Sequence, residues 1–101
     1  MAHVRVWKFR PPAGREDAFV EAYASDGAWA QLFGQAPGFV GTALLSPVES
    51  DGWWLTVDRW QSRADFDRFD REFGDAYRAL DEELEGVAGE EEFVGSFEDN
   101  G

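Results

Sequence analysis

Residues 53–61, WWLTVDRWQ, read as a strand that is apolar on both faces, and this constrains the fold more than any other stretch. One parity holds Trp53, Leu55, Val57 and Arg59; the other holds Trp54, Thr56, Asp58 and Trp60. Side chains alternate across a strand, so both sides of the sheet need cover. Residues 3–10, HVRVWKFR, behave the same way: Val4, Val6 and Lys8 oppose His3, Arg5, Trp7 and Phe9. In 101 residues, which is the size of one domain, helices can cover one face. The other face would be an exposed apolar patch unless another chain buried it.

The intervening segments supply the helices. PPAG at 11–14 stops the first strand, and Phe19, Ala22 and Tyr23 then recur at helical spacing within 15–24. After Ser25-Asp26-Gly27 a second helical piece, 28–36, puts Trp29, Leu32, Phe33 and Ala36 on one face; Ser25 or Asp26 is the expected N-cap. Pro37-Gly38 closes it. A second strand at 39–46 pairs with the third through the turn PVESDG. Ser62-x-x-Asp65 resembles a capping box and opens a helix expected to run unbroken over 62–84, with Phe66, Phe69, Phe73, Ala76, Tyr77, Leu80 and Leu84 as one stripe. A last strand spans 91–98 and a short tail begins near 99. The order β-α-β-β-α-β is the α+β, ferredoxin-like arrangement: a four-stranded antiparallel sheet with its helices on one face. The open face then predicts a homodimer.

Charge removes several function classes. Twenty-one Asp and Glu against nine Lys and Arg leave a net charge of -12, which argues against nucleic acid and against an anionic membrane surface. The carboxylates past Arg78, like Asp67, Asp70 and Glu82, read as solvated faces rather than ligand sets, so no metal site is expected. With no Cys there is no thiolate chemistry. No leader peptide or membrane span is legible, so a cytoplasmic protein is expected. There is no phosphate-cradling Gly pattern and no nucleophile elbow, and no cofactor is expected. His3, beside the terminus, is expected to be exposed.

Three features carry a resemblance: VRVWKFRPPAGREDAF at 4–19, APGFVGTALL at 36–45, and DRWQS at 58–62, where a strand ends in acid-x-Trp before a capped helix. In these, and in element order and length, the chain resembles the antibiotic biosynthesis monooxygenase branch of the dimeric α/β-barrel superfamily. The resemblance implies a homodimer whose two sheets form a barrel, with a pocket between each sheet and its helices. It also implies a range of activities, from cofactor-free oxygenation of polycyclic phenols to heme degradation, since fold alone does not carry function.

Carried over position by position, the Trp closing strand three in oxygenase-type members matches Trp60. Tyr77 matches as a phenol donor, and Arg5 or Arg59 as the cation; the Asn of that constellation has no counterpart, because the sole Asn is Asn100. The heme-degrading pattern needs an Asn on strand one, where Trp7 stands, and a His on the second helix, where there is none. A cofactor-free oxygenase must bind a flat aromatic, favour its anion and exclude water. Trp60, Asp58 and Tyr77 are the catalytic candidates, with Asp58 as a base raised by desolvation. Trp7, Arg5, Trp29 and Thr56 are the substrate-binding candidates. Against this stands a non-catalytic reading, a dimeric small-molecule-binding or structural protein in which the rings fill a core and Asp58 pairs with Arg5 across the sheet. An open cavity lined by Asp58 or Tyr77 separates the two.

Overall fold

A computed structural model describes residues 2–49 and 51–101. The elements run β1 (Ala2–Arg10), α1 (Glu16–Tyr23), α2 (Ala28–Phe33), β2 (Phe39–Leu45), β3 (Trp54–Trp60), α3 (Arg63–Glu72), α4 (Gly74–Glu83) and β4 (Glu90–Asp99). The strands form one antiparallel sheet in the order β2-β3-β1-β4, the ferredoxin-like arrangement expected from the strand and helix patterning. No helix among the described residues is long and apolar enough to cross a membrane.

Register decides which side chains meet the helices. Across β1 and β3, His3 faces Trp60, Arg5 faces Asp58, Trp7 faces Thr56 and Phe9 faces Trp54. Partners in an antiparallel pair share a face, so these eight lie under the helices. The opposite face carries Val4, Val6, Lys8, Leu55, Val57 and Arg59, joined by Leu45 of β2 and Phe97 of β4. A bulge in β4 shifts its pairing: Val6 faces Gly95, but Trp7 faces Phe93, leaving Val94 as the extra residue.

Two apolar clusters lie between sheet and helices. One gathers Trp29, Leu32, Phe33, Ala36, Trp60 and Phe69; the other gathers Phe9, Phe19, Ala22, Val87 and Ala88. Tyr23 and Leu84 pack against both. Each buried ring removes roughly 150–250 Å² from water, and Phe9, Phe19, Trp29, Phe33, Trp60 and Phe69 are all buried.

Three local expectations are corrected. The helix expected to be unbroken over 62–84 is two helices meeting at Phe73, whose φ of -113° and ψ of 15° interrupt the ladder before Gly74. Gly has the poorest helix propensity after Pro, which makes this the weakest point of the stripe. The N-cap of α2 is Gly27 and not Ser25 or Asp26. The α1 carbonyls of Glu21 and Ala22 lie 2.5 and 2.7 Å from where a Cβ at position 27 would sit, so the chain passes too close for a side chain there. His3 is buried rather than exposed, at 4 % accessibility, with Nδ1 3.6 Å from Glu98 and its ring 6.0 Å from that of Phe66. β1 begins before it, so its neighbours are β4 and α3 rather than solvent. The Ser62 cap forms as expected: its Oγ accepts from the Asp65 N–H at 3.1 Å and donates to Asp65 Oδ2 at 3.0 Å.

Candidate functional site

Asp58 sits in an interior strand, with Thr42 of β2 and Arg5 of β1 as its lateral neighbours. The sheet pleat points all three toward the helices. The Thr42 hydroxyl donates to Asp58 Oδ1 at 2.5 Å. Asp58 is 9 % exposed, and burial pushes its carboxyl from 3.8 up to about 6; the Thr42 hydrogen bond and the positive charge of Arg5 oppose the shift without cancelling it. The expected ion pair between Asp58 and Arg5 does not form. The Arg5 guanidinium lies instead between two rings, 4.1 Å from the centroid of Phe66 and 4.6 Å from that of Phe93, and Nη1 reaches Ser96 Oγ at 3.4 Å. Flanking rings hold a guanidinium by cation–π attraction, which releases Asp58 from direct pairing.

Above Asp58 lies a cavity of about 220 Å³. Thr42, Thr56 and Asp58 come from β2 and β3, Trp7 and Phe9 from β1, and Glu91 from β4. Tyr23, Trp29 and Phe33 close one side, and Tyr77 and Asp81 of α4 another. Its volume is below the roughly 300–1,000 Å³ typical of drug-sized sites, so it suits a compact ring system. Of the sequence-predicted residues, Asp58, Tyr77, Trp7, Trp29 and Thr56 come together here. Trp60 and Arg5 do not line it. Trp60 is 1 % exposed and wedged among Phe33, Phe39, Phe66 and Phe69, with ring centroids 5.1 to 5.9 Å away. Arg5 acts on the cavity only through its charge.

The phenols and carboxylates of the lining are tuned by the same burial. It raises the Tyr23 hydroxyl well above its usual value, and the Trp29 indole N–H opposes this by less. The two do not reach hydrogen-bond geometry, and Trp29 Nε1 is left buried with no partner. Tyr77 is raised chiefly by burial and then by Asp81, and Glu91 is raised for the same two reasons. At neutral pH the cavity therefore presents an ionised but proton-hungry Asp58 and two phenols that keep their protons.

Sequence reasoning missed Thr42, Tyr23, Asp81 and Glu91. Thr42 was discoverable only through the β2–β3 register, which sets it opposite Asp58. Glu91 reaches the cavity only because of the β4 bulge. Heme does not fit these residues: the one His lies outside the lining, and the rim carboxylates would meet the anionic propionates.

Comparison with known proteins gives the same fold. A single-site variant of SnoaB, a cofactor-independent oxygenase from Streptomyces nogalater, superposes with a TM-score of 0.73 at 21% identity, covering 99% of this chain and 94% of that one. MhuD, a heme-degrader from Mycobacterium tuberculosis with two hemes bound in its active site, gives 0.72 at 24% identity, covering 97% and 95%. At these identities the likeness speaks for the fold. No curated protein sequence matches the chain. The antibiotic biosynthesis monooxygenase profile matches residues 2–79, which is most of the chain and spans every strand of the site except β4. The protein belongs to the antibiotic biosynthesis monooxygenase family.

Proposed function

We propose that the chain is a cofactor-independent monooxygenase acting on a hydroxylated aromatic or quinone-type small molecule. The observation that carries this reading is Asp58: a buried carboxylate raised to about 6, held by one hydroxyl, at the floor of an aromatic-walled cavity. Such a group is ionised at neutral pH yet basic enough to take a proton from an acidic ring C–H or phenol. Proton loss leaves an electron-rich anion on the ring. Dioxygen adds at the activated carbon to give a hydroperoxide, which loses water and leaves a carbonyl. One oxygen enters the product and the other leaves as water, so the substrate supplies the electrons. Thr42 holds the base in place, Trp7 and Trp29 flank the ring, and Tyr77 offers a phenolic proton to the developing peroxide.

The test is oxygen uptake with hydroxylated bicyclic and tricyclic aromatics, comparing the parent with Asp58→Asn. A loss of about 10²- to 10⁴-fold is expected, the usual worth of a positioned base. Equal rates in parent and variant would remove Asp58 from the chemistry. One observation favours a second reading, binding without turnover: the strand-ending Trp60 is packed away from the cavity. That reading expects ligand binding with no oxygen consumed.

The same proposal includes a homodimer through the open sheet face. Its support is an apolar surface of Val6, Leu55 and Val57, with Leu45 47% and Phe97 50% exposed at its edges. Monomers rarely leave so continuous a patch in water. An apolar contact of this kind should survive high salt. A monomer on gel filtration, or dissociation on adding salt, would count against it.

A further inference from the structure

The charge of the cavity favours a cationic guest over a neutral one and a neutral one over an anion. Besides its two phenols, its ionisable lining groups are Asp58, Asp81 and Glu91, with no Lys or Arg among them. A second hollow of about 240 Å³ shares Tyr23, Asp81 and Glu91 with the first and adds Glu85, extending the acidic rim toward the α4–β4 connection. Among the described residues, Asp81, Glu85 and Glu91 have no ion-pair partner.

Strand geometry explains why the rim is left uncompensated. Glu90 and Glu92, on either side of Glu91, pair with Arg10 at 2.7 Å and Lys8 at 3.4 Å. Both pairs belong to the opposite face of the sheet from Phe9, which Glu91 faces. The cations of β1 that flank Glu91 across the sheet are thus spent on the open face, and the charge of Arg5, felt by Asp58 and Tyr77, is not among the influences on Glu91. An independent sign that the cavity awaits a ligand is Trp29. Its side chain is in the wall and 7 % exposed, and its Nε1–H is buried with only the Tyr23 hydroxyl near it, short of hydrogen-bond geometry. Buried donors are almost always satisfied, so this N–H is open to a better-placed acceptor than Tyr23.

We propose that the ligand carries a cationic amine, with its ring system in the cavity and its ammonium at the rim between Asp81 and Glu91, against the faces of Tyr23 and Tyr77. This rests on the aromatic-ligand reading above and specifies its class. The charge of Asp81 raises the Glu91 carboxyl, so the two repel, and a cation between them turns that repulsion into attraction. The phenol rings add cation–π attraction, which is strongest where water is excluded. A ring oxygen on the same molecule would supply the acceptor for Trp29. The rim would conversely penalise acidic aromatics.

The experiment is a fluorescence titration of the full chain with three matched hydroxyanthraquinones, bearing no charge, an aminomethyl group or a sulfonate. The expected order is ammonium, neutral, sulfonate, with at least tenfold between the first two at low salt. The Asp81→Asn/Glu91→Gln double variant should bring the ammonium-to-neutral ratio close to one, as should raising the salt. Equal binding of the neutral and ammonium compounds, or preference for the sulfonate, overturns the amine while leaving the aromatic site standing. An ammonium preference that persists in the double variant overturns the assignment to this rim. Binding of none of the three overturns both the aromatic site and the amine.

Discussion

Trp60 and Asp58 stand two residues apart on the same face of β3, and their surroundings could hardly differ more. Around Trp60 the space is filled. α3 begins at the Ser62 cap and lays Phe66 and Phe69 directly on the indole, while Phe33 and Phe39 close the other sides. Around Asp58 the space is open. α4 fully buries none of its residues, and Tyr77, 37% exposed, roofs a cavity instead of filling one. The break at Phe73 separates the half of the helical stripe that packs from the half that stands off. Aromatic abundance therefore does not distinguish core from pocket; the position of the helix above the ring does.

The largest effect that would test this contrast is at its packed end. Trp60→Ala should lose about 3–5 kcal/mol of stability, the usual range for deleting a fully buried large aromatic, as read by denaturant unfolding. An unchanged unfolding midpoint would mean that the ring is not core.

At the open end the sign reverses. Burial raises Asp58 from 3.8 to about 6, so between those values the folded chain holds a proton that the unfolded chain has shed. The group's stability contribution is full below pH 3.8 and is lost as pH rises through about 6. Above that, ionised Asp58 costs on the order of 3 kcal/mol, at about 1.4 kcal/mol for each unit of pKa. Asp58→Asn should accordingly stabilise the protein at pH 7 to 8 by up to about 3 kcal/mol. The gain should shrink toward zero near pH 4. A pH-independent difference, or a loss at pH 7, would show that Asp58 is well compensated and that the two ends are alike.

Tyr77→Phe should alter stability by less than about 1 kcal/mol, because a half-exposed hydroxyl contributes little net, but should weaken binding of hydroxylated aromatics. A large melting shift with no binding change would place Tyr77 with the packed half. The smallest expected effect is Gly74→Ala. A Cβ there meets only the Arg78 guanidinium, Nη1 at 3.5 Å and Nη2 at 3.8 Å, and the gain in helix propensity should be roughly 0.5 kcal/mol. Destabilisation would mean that the break itself is required.

The same contrast shows what was legible in the sequence. Element order, strand parity and the Ser62 cap follow from local periodicity and turn chemistry, which are properties of neighbouring residues. Asp58 stood out because an acid two positions before a strand-ending Trp is unusual on an apolar face. Its role relative to Trp60 was not legible, since that depends on where a helix eight to twenty residues later bends. Phe73-Gly74 held the only local hint, a glycine inside an apolar stripe. Thr42 and Glu91 depend on register, and Arg5 on two phenylalanines from separate elements. Such contacts are settled by tertiary packing, and no spacing rule in one strand contains them.

Asp65 illustrates how closely the packed end is bound together. Gly38, with φ of +90°, presses its Cα where a Cβ would lie 2.5 Å from that of Asp65, and its carbonyl accepts from Gln61 N–H at 2.7 Å. The turn entering β2 and the start of α3 are thus held against each other at the foot of Trp60.

The bulge in β4 makes that strand a message read in two frames. Past Val94, each residue faces the side that uninterrupted alternation from the C-terminus assigns it; before Val94, each is one letter out of step. Spelled without the shift, Phe9 would stand opposite Glu92, and the acid at the cavity would be a different one. Deleting Val94 would restore regular pairing while keeping Glu91 where it is, whereas inserting a residue between Glu92 and Phe93 would bring Glu92 opposite Phe9 and move Glu91 to the open face. The strand's length, counted to a single residue, thus sets which carboxylate a bound molecule meets.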